Sequence, residues 1–284
     1  MTKNGLVLEG GGLRDLFTAG ILDVMMEHDI HFDGIIGVSA GATFGCNYKS
    51  HQPGRCLRYN KNMAHDWRFC SIRSLIKTGD LVGADFAYHV LPTEIDVFDN
   101  ETFKKDPTEF CVVCTDTETG KPIYHRVDTF DYEGLEWLRA TASLPIVSRA
   151  VHIGGHTMLD GGISDSIPLK YWQSKGYQRN IVILTQPDGF EKKKTRLMPF
   201  FKIFCRRYPA IIKAMGRRHI MYNEQLAYLR EEKKHGSTLV LCPDNTIDIG
   251  RTEMKPDKMQ QVYDQGRKYG NEHIDEVLRF LRRE

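Results

Sequence analysis

The sequence predicts an α/β fold: a three-layer α/β/α sandwich around a central, mostly parallel sheet, followed by a largely helical C-terminal extension. Three observations predict it. Apolar runs of strand length alternate with stretches of helical periodicity. Twice, a strand pattern passes into a helix pattern through nothing more than a turn of small residues. The 284 residues, 41% hydrophobic and 27% charged, suffice for one large domain or a domain with an appended segment.

Taken in order, Gly5–Leu8 reads as a buried strand. Leu13 to Ile30 reads as a helix with Leu13, Leu16, Phe17, Ile21, Leu22 and Met25 on one stripe. A turn at His31 to Asp33 leads to a second strand, Gly34–Gly37, and then directly to a helix from Ala40 to Asn47. Phe110–Thr115 and Asn180–Thr185 are further buried strands, with a helix over Tyr132–Ala142 between them. Val151–Asp160 reads as two short strands about Gly154 and Gly155, a good hairpin turn. Ser166-Ile167-Pro168 leads into the next helix, and Met221–Lys234 and Pro256–Arg283 are helical. The division expected is residues 3–188 as the catalytic domain and 189–284 as a basic, aromatic helical extension packed on it. Repeats and low-complexity linkers are absent.

Composition excludes several classes. A net charge of +2 gives no argument for nucleic acid as a partner. Seven irregularly spaced cysteines and no apolar targeting segment after Met1 point to a reducing cytoplasm. Cys111 and Cys114 form C-x-x-C inside an apolar strand pattern and have no second pair, so a buried strand is expected rather than a metal site. No window reaches the roughly 18 apolar residues of a span, so membrane contact would be peripheral, at the inner face.

The motif richest in chemistry is Gly37-Val38-Ser39-Ala40-Gly41, G-x-S-x-G at a strand-turn-helix junction. A serine there sits on a strained bend with its hydroxyl projecting from the sheet; as the bland alternative, Ser39 caps the helix at Ala40. Gly10-Gly11-Gly12 sits between the first strand and its helix, where amides and helix dipole favour an oxyanion. Dinucleotide binding would require glycine where Asp15 stands, and an aspartate there repels pyrophosphate; the lysine and Ser/Thr of a P-loop are missing too. Arg14 reads as a brace for the loop, an ordinary surface ion pair, or a contact for an anionic head group. Asp160-Gly161-Gly162 turns sharply at a strand end, delivering a carboxylate or simply making a turn.

Together these residues resemble the patatin-like phospholipases, a family of lipid acyl hydrolases. The resemblance rests on G-G-G-x-R at Gly10–Arg14, G-x-S-x-G at Gly37–Gly41, the stretch Ala140–Pro145 (A-T-A-S-L-P), similar to the family's A-S-x-x-P block, and D-G-G at Asp160–Gly162, in that order, over roughly Lys3 to Asp188. One departure is Asp15, where many members carry glycine; the loop geometry is affected and the oxyanion glycines are expected to be untouched. The resemblance implies a Ser-Asp dyad: Ser39 as nucleophile, Asp160 as general base, and the amides of Gly10, Gly11 and Gly12 as oxyanion hole, Gly11 and Gly12 forming its core. Burial is expected to raise the proton affinity of Asp160, since a solvated Asp near pKa 3.9 is a weak base for a hydroxyl. Such chemistry calls for no metal and no cofactor. His152 and His156 are expected as bystanders on the hairpin.

The implied substrate is an acyl ester of a phospholipid or lysophospholipid. Two other readings stay open: an α/β-hydrolase triad with His219, His235 or His273 as base, and a non-catalytic lipid-binding protein. From Glu191 to His219, lysines and arginines interleave with Phe200, Phe201, Ile203, Phe204, Tyr208, Ile211 and Ile212. Residues 191–218 therefore suit an anionic membrane surface, or else pack their aromatic face on the core and leave the lysines solvated. Oligomeric state is not encoded in these motifs.

Overall fold

A computed structural model describes residues 2–282. Its elements run β1 (Asn4–Leu8), α1 (Asp15–Glu27), β2 (Gly34–Val38), α2 (Ala40–Lys49), α3 (Arg55–Asn62), α4 (Ile72–Thr78), a π-helix (Phe86–Ile95) and α5 (Asn100–Lys105). There follow β3 (Glu109–Asp116), β4 (Pro122–Arg126), α6 (Tyr132–Thr141), β5 (Val151–Ile153), β6 (His156–Asp160), α7 (Leu169–Ser174) and β7 (Arg179–Ile183). The chain ends with α8 (Met198–Phe204), α9 (Pro209–His235), β8 (Thr238–Leu241) and α10 (Pro256–Arg282). Arg283, expected as the last helical residue, lies outside the described residues.

The strands form one sheet in the order β5-β6-β3-β2-β1-β7-β8, with β4 also paired to β3. From β3 to β8 every neighbour is parallel, and β4, β5 and β6 pair antiparallel. Alternation along the strands separates two cores. Leu6, Leu8, Ile35, Phe110, Val112, Ile181 and Ile183 face a cluster shared with residues of α1, α2 and α10. Val7, Ile36, Val113 and Val182 face Trp172 of α7 and Tyr222 and Leu226 of α9. Helices on both faces bury the parallel strands completely, which is why those strands read as unbroken apolar runs.

The first helix ends earlier than its apolar stripe suggested. Asp29 takes a positive φ of 51°, and the chain turns three residues before Ile30. The segment expected as a helical extension is also part of the sandwich. Thr238–Leu241 pairs in parallel with β7, and α10 packs against α1 with Gly266 so close to the Phe17 carbonyl that a Cβ would stand 2.1 Å from it, and Gly270 tight against Ile21 and Val24. Met221–Lys234 lies inside a helix that begins at Pro209, a residue whose fixed φ and missing N–H suit a first turn.

Candidate active site

The sheet brings the two predicted side chains together. β3 pairs with β2 up to Val38↔Val113 and with β6 from Cys114↔Asp160. Ser39, one residue past β2, and Asp160, the last residue of β6, therefore arrive on either side of β3 at the level of Cys114.

Ser39 adopts φ 55°, ψ −127°, a conformation that costs a non-glycine residue on the order of 1–3 kcal/mol. Its surroundings hold it there. The Ser39 amide donates to Thr141 Oγ1 at 3.0 Å, the Thr141 hydroxyl donates to the Val113 carbonyl at 2.5 Å, and the Ser39 carbonyl accepts from Ala42 and Thr43 of α2. The Ser39 side chain makes no helix-capping bond, so the capping alternative does not describe it. Close backbone approach explains the flanking glycines: a Cβ on Gly10 would stand 2.6 Å from Ser39 Cβ, and one on Gly41 2.5 Å from the Glu9 carbonyl. Gly37 similarly abuts Ala42, and Gly161 abuts the Val113 carbonyl.

Asp160 is 2% exposed. Its Oδ1 accepts the Gly162 amide at 2.8 Å, and its backbone is fixed by Ser143 and Thr115. Its Oδ2 is buried without a full hydrogen bond among the described residues. Burial pushes the carboxyl above the ordinary aspartate range, opposed by the nearby Ser39 hydroxyl, the Arg218 guanidinium and the Gly162 amide. The direction is the one a general base for a hydroxyl requires.

The glycine loop differs from expectation in one respect. Asp15 does not leave the oxyanion glycines untouched, because its buried carboxylate accepts the Gly11 amide. Burial and the neighbouring Glu9 raise the Asp15 pKa well above the usual range. Gly12, at φ +66°, turns the loop so that the Leu13 amide meets the Arg251 carbonyl at 3.0 Å. Among the described residues the amides of Gly10 and Gly12 donate no hydrogen bond, whereas that of Gly11 is taken by Asp15. Glu9, 3% exposed, anchors the loop through the Thr185 amide and hydroxyl and the Tyr222 hydroxyl.

Ser39, Asp160 and the three loop glycines border a cavity of about 200 Å³. One end carries Gly10, Gly12, Ser39, Asp160, Gly162, Arg218 and Arg251; the other is walled by residues such as Phe44, Leu91, Phe98, Phe130 and Leu138. Arg14 stands beside the loop with its Nε buried and unpartnered among the described residues; it is not a surface ion pair. Burial and the Arg251 charge lower its pKa, against Glu9 and Asp15. His219, His235 and His273 are not among the residues lining the cavity. His152 bonds Thr157, and His156 pairs with Asp116 at 2.9 Å on the hairpin.

Sequence reasoning missed Glu9, Thr141, Arg218 and Arg251. Lys192, expected as a solvated charge, instead lies half-buried with Nζ 3.9 Å from the centre of the Tyr222 ring. The basic stretch 191–218 thus divides: Lys192 and Arg218 turn inward, while Leu197, Phe200, Ile203 and Phe204 of the α8 region are exposed and Phe201 and Ile211 are buried.

A family model described as "Patatin-like phospholipase" matches residues 6–171. A second, described as "Domain of unknown function (DUF6363)", matches 208–282. Among curated relatives, the uncharacterized protein YjjU of Escherichia coli is 30% identical over 189 residues, covering 64% of this chain and 52% of its own length. Lysophospholipase nte1 of Aspergillus terreus is 23% identical over 299 residues, 96% of this chain and 18% of its own length. The chain thus spans about half of the first relative and under a fifth of the second. The crystal structure of VipD from Legionella pneumophila aligns with a TM-score of 0.47 at 14% identity, covering 97% of this chain and 67% of that one.

Proposed function

The chain belongs to the patatin-like phospholipase family, and on that footing we propose that it is a lipid acyl hydrolase with a Ser39-Asp160 dyad. The observation that carries this reading is the strained Ser39 at the junction of an apolar cavity and a buried carboxylate whose pKa is raised.

In the first step the Ser39 hydroxyl oxygen attacks the ester carbonyl carbon while its proton passes to Asp160. The resulting oxyanion takes hydrogen bonds from the Gly10 and Gly12 amides, each worth roughly 2.7–4 kcal/mol in the transition state. Asp160 returns the proton to the departing alcohol, leaving an acyl-Ser39 ester. Water, deprotonated by Asp160, then attacks that ester, and Asp160 returns the proton to the departing Ser39 oxygen, releasing the fatty acid and the free serine hydroxyl. The apolar end of the cavity suits an acyl chain, and relatives named as lysophospholipases make a phospholipid or lysophospholipid ester the class to test.

Residues 191–218 also suit a peripheral membrane contact. Leu197, Phe200, Ile203 and Phe204 are 52–65% exposed, and Lys193, Lys194, Arg196, Lys202, Arg206 and Arg207 surround them, the combination that enters an anionic interface. Among the described residues no helix is long and apolar enough to cross a membrane.

Fluorophosphonate labelling tests the dyad. The natural protein should label and hydrolyse acyl esters, Ser39→Ala should do neither, and Asp160→Asn should lose hydrolysis; undiminished hydrolysis by both variants would overturn the reading. Substituting His219, His235 and His273 singly should leave activity in place, whereas a triad would lose it.

A further inference from the structure

The C-terminal segment, whose residues 208–282 match a domain of unknown function, places charge at one end of the cavity. Arg218 of α9 and Arg251 of the loop before α10 line it together with Ser39 and Asp160. Lys192 and Arg14 have their pKa values lowered first by burial and then by neighbouring cations, Arg251 for Arg14 and Arg218, Arg251 and Arg14 for Lys192. Among the described residues none of the four has a carboxylate within ion-pair distance.

The nearby acids are engaged elsewhere and make no ion pair with these cations among the described residues. Glu9 is held by Thr185 and Tyr222, and Asp15 by the Gly11 amide. Burial raises the pKa of both Asp15 and Asp160, against the pull of the neighbouring arginines. Gathering unpaired cations at a half-buried site is unfavourable unless a ligand anion joins them.

Their anchoring leaves donors free. Arg218 is fixed through Nε to the Gly162 carbonyl at 2.5 Å, and its terminal nitrogens make no bond among the described residues. Arg251 is fixed through its backbone carbonyl to the Leu13 amide, with its side chain exposed at the rim. Two guanidinium forks match a phosphate, which carries up to about two charges and three acceptor oxygens. A fatty-acid carboxylate would instead sit at Ser39, where the ester is cleaved.

We propose that Arg218 and Arg251, with Lys192 and Arg14 behind them, form a subsite for the phosphate of the leaving group. The C-terminal segment thereby selects acyl glycerol phosphates over neutral acyl esters. This rests on the hydrolase reading above, since it assigns the two ends of one cavity to acyl chain and head group.

The test uses the full chain. Hydrolysis of a monoacyl glycerol phosphate and of the monoacylglycerol with the same acyl chain gives a ratio of kcat/KM values. Calorimetry on Ser39→Ala protein gives the affinities of both lipids and of inorganic phosphate. The ratio should favour the phosphate ester, and fall about tenfold in Arg251→Gln and again about tenfold in Arg218→Gln. Lys268→Gln, which removes an exposed charge of α10, should leave it unchanged. Arg251 is exposed, so that variant keeps the test decisive should Arg218→Gln, which also loses the Gly162 contact, fail to fold.

An unchanged ratio in Arg251→Gln overturns the subsite. Inorganic phosphate binding as tightly as the acyl phosphate also overturns it, pointing to a free-anion site. If neither ester is hydrolysed while Arg251→Gln still weakens acyl phosphate binding to Ser39→Ala, the subsite stands and the hydrolase reading falls.

Discussion

The cavity has arginine at both ends, and the two are built in opposite ways. Arg55, at the apolar end, is 4% exposed. It pairs with Asp96 at 3.1 Å, donates to Asn47 Oδ1 at 2.8 Å, and lies over the rings of Tyr59 and Phe98. Among the described residues, Arg218 and Arg251, at the Ser39 end, have no carboxylate within ion-pair distance. A buried cation that serves the fold brings its counter-charge with it; one that serves a ligand leaves that place to the ligand.

Removing the group at the junction gives the largest effect. Ser39→Ala should lower ester hydrolysis roughly 10⁴-fold or more, while acyl phosphate affinity changes by no more than about threefold, because neither end is touched. A large loss of affinity would mean that the ends do not bind independently of the nucleophile.

Next in size is the contrast between the arginines themselves. Arg55→Met leaves Asp96 short of one partner in a buried setting and should cost about 3 kcal/mol in urea unfolding, whereas Arg251→Gln should stay within about 0.5 kcal/mol. Equal costs would erase the distinction between structural and ligand-facing cations.

That distinction was only half legible in the sequence. Ser39 and Asp160 stand in local motifs, and the strand patterns of β1, β2, β3 and β7 are local too, because strands buried on both faces carry continuous apolar runs. β4 was missed because its residues are only partly buried and include Tyr124, His125 and Arg126, which show no apolar run. β8 follows a long charged helix and has only four residues. Thr141 reaches Ser39 across 102 residues and Tyr222 reaches Glu9 across 213; no spacing rule finds such pairs. Arg218 was hidden differently, inside a basic run that composition alone reads as surface. Asp15 was visible as a departure, yet its consequence needed the Gly12 turn that folds its carboxylate back onto the Gly11 amide.

A smaller effect connects the cationic end to the chemistry. Asp160 is raised by burial, so its working ionised form is reached only at higher pH than for a solvated Asp near pKa 3.9. On a neutral ester, kcat/KM should therefore rise about tenfold per pH unit along an acid limb displaced above that value. Arg218 opposes the displacement, so Arg218→Gln should move the limb to still higher pH. A limb at the solvated value, or one unmoved in Arg218→Gln, would separate the base from the cations.

The smallest effect concerns Lys192, whose pKa is brought down to about 7, chiefly by burial and then by Arg218, Arg251 and Arg14, against Glu9. Below that pH the ammonium is charged and adds to the phosphate subsite; as pH rises through about 7 the charge is lost. A phosphodiester-headed lysophospholipid keeps a constant charge over this range, so its own ionisation does not intrude, as that of a monoester with a second pKa near 6 would. Its preference over the neutral ester should fall about threefold between about pH 6 and pH 8. In Lys192→Met the preference should be low and flat with pH, and in Lys192→Arg high and flat. Since a neutral ester offers no charge for the Lys192 ammonium to meet, its affinity should not change with pH in any of these proteins. A parallel change there would show that the two ends do not act separately.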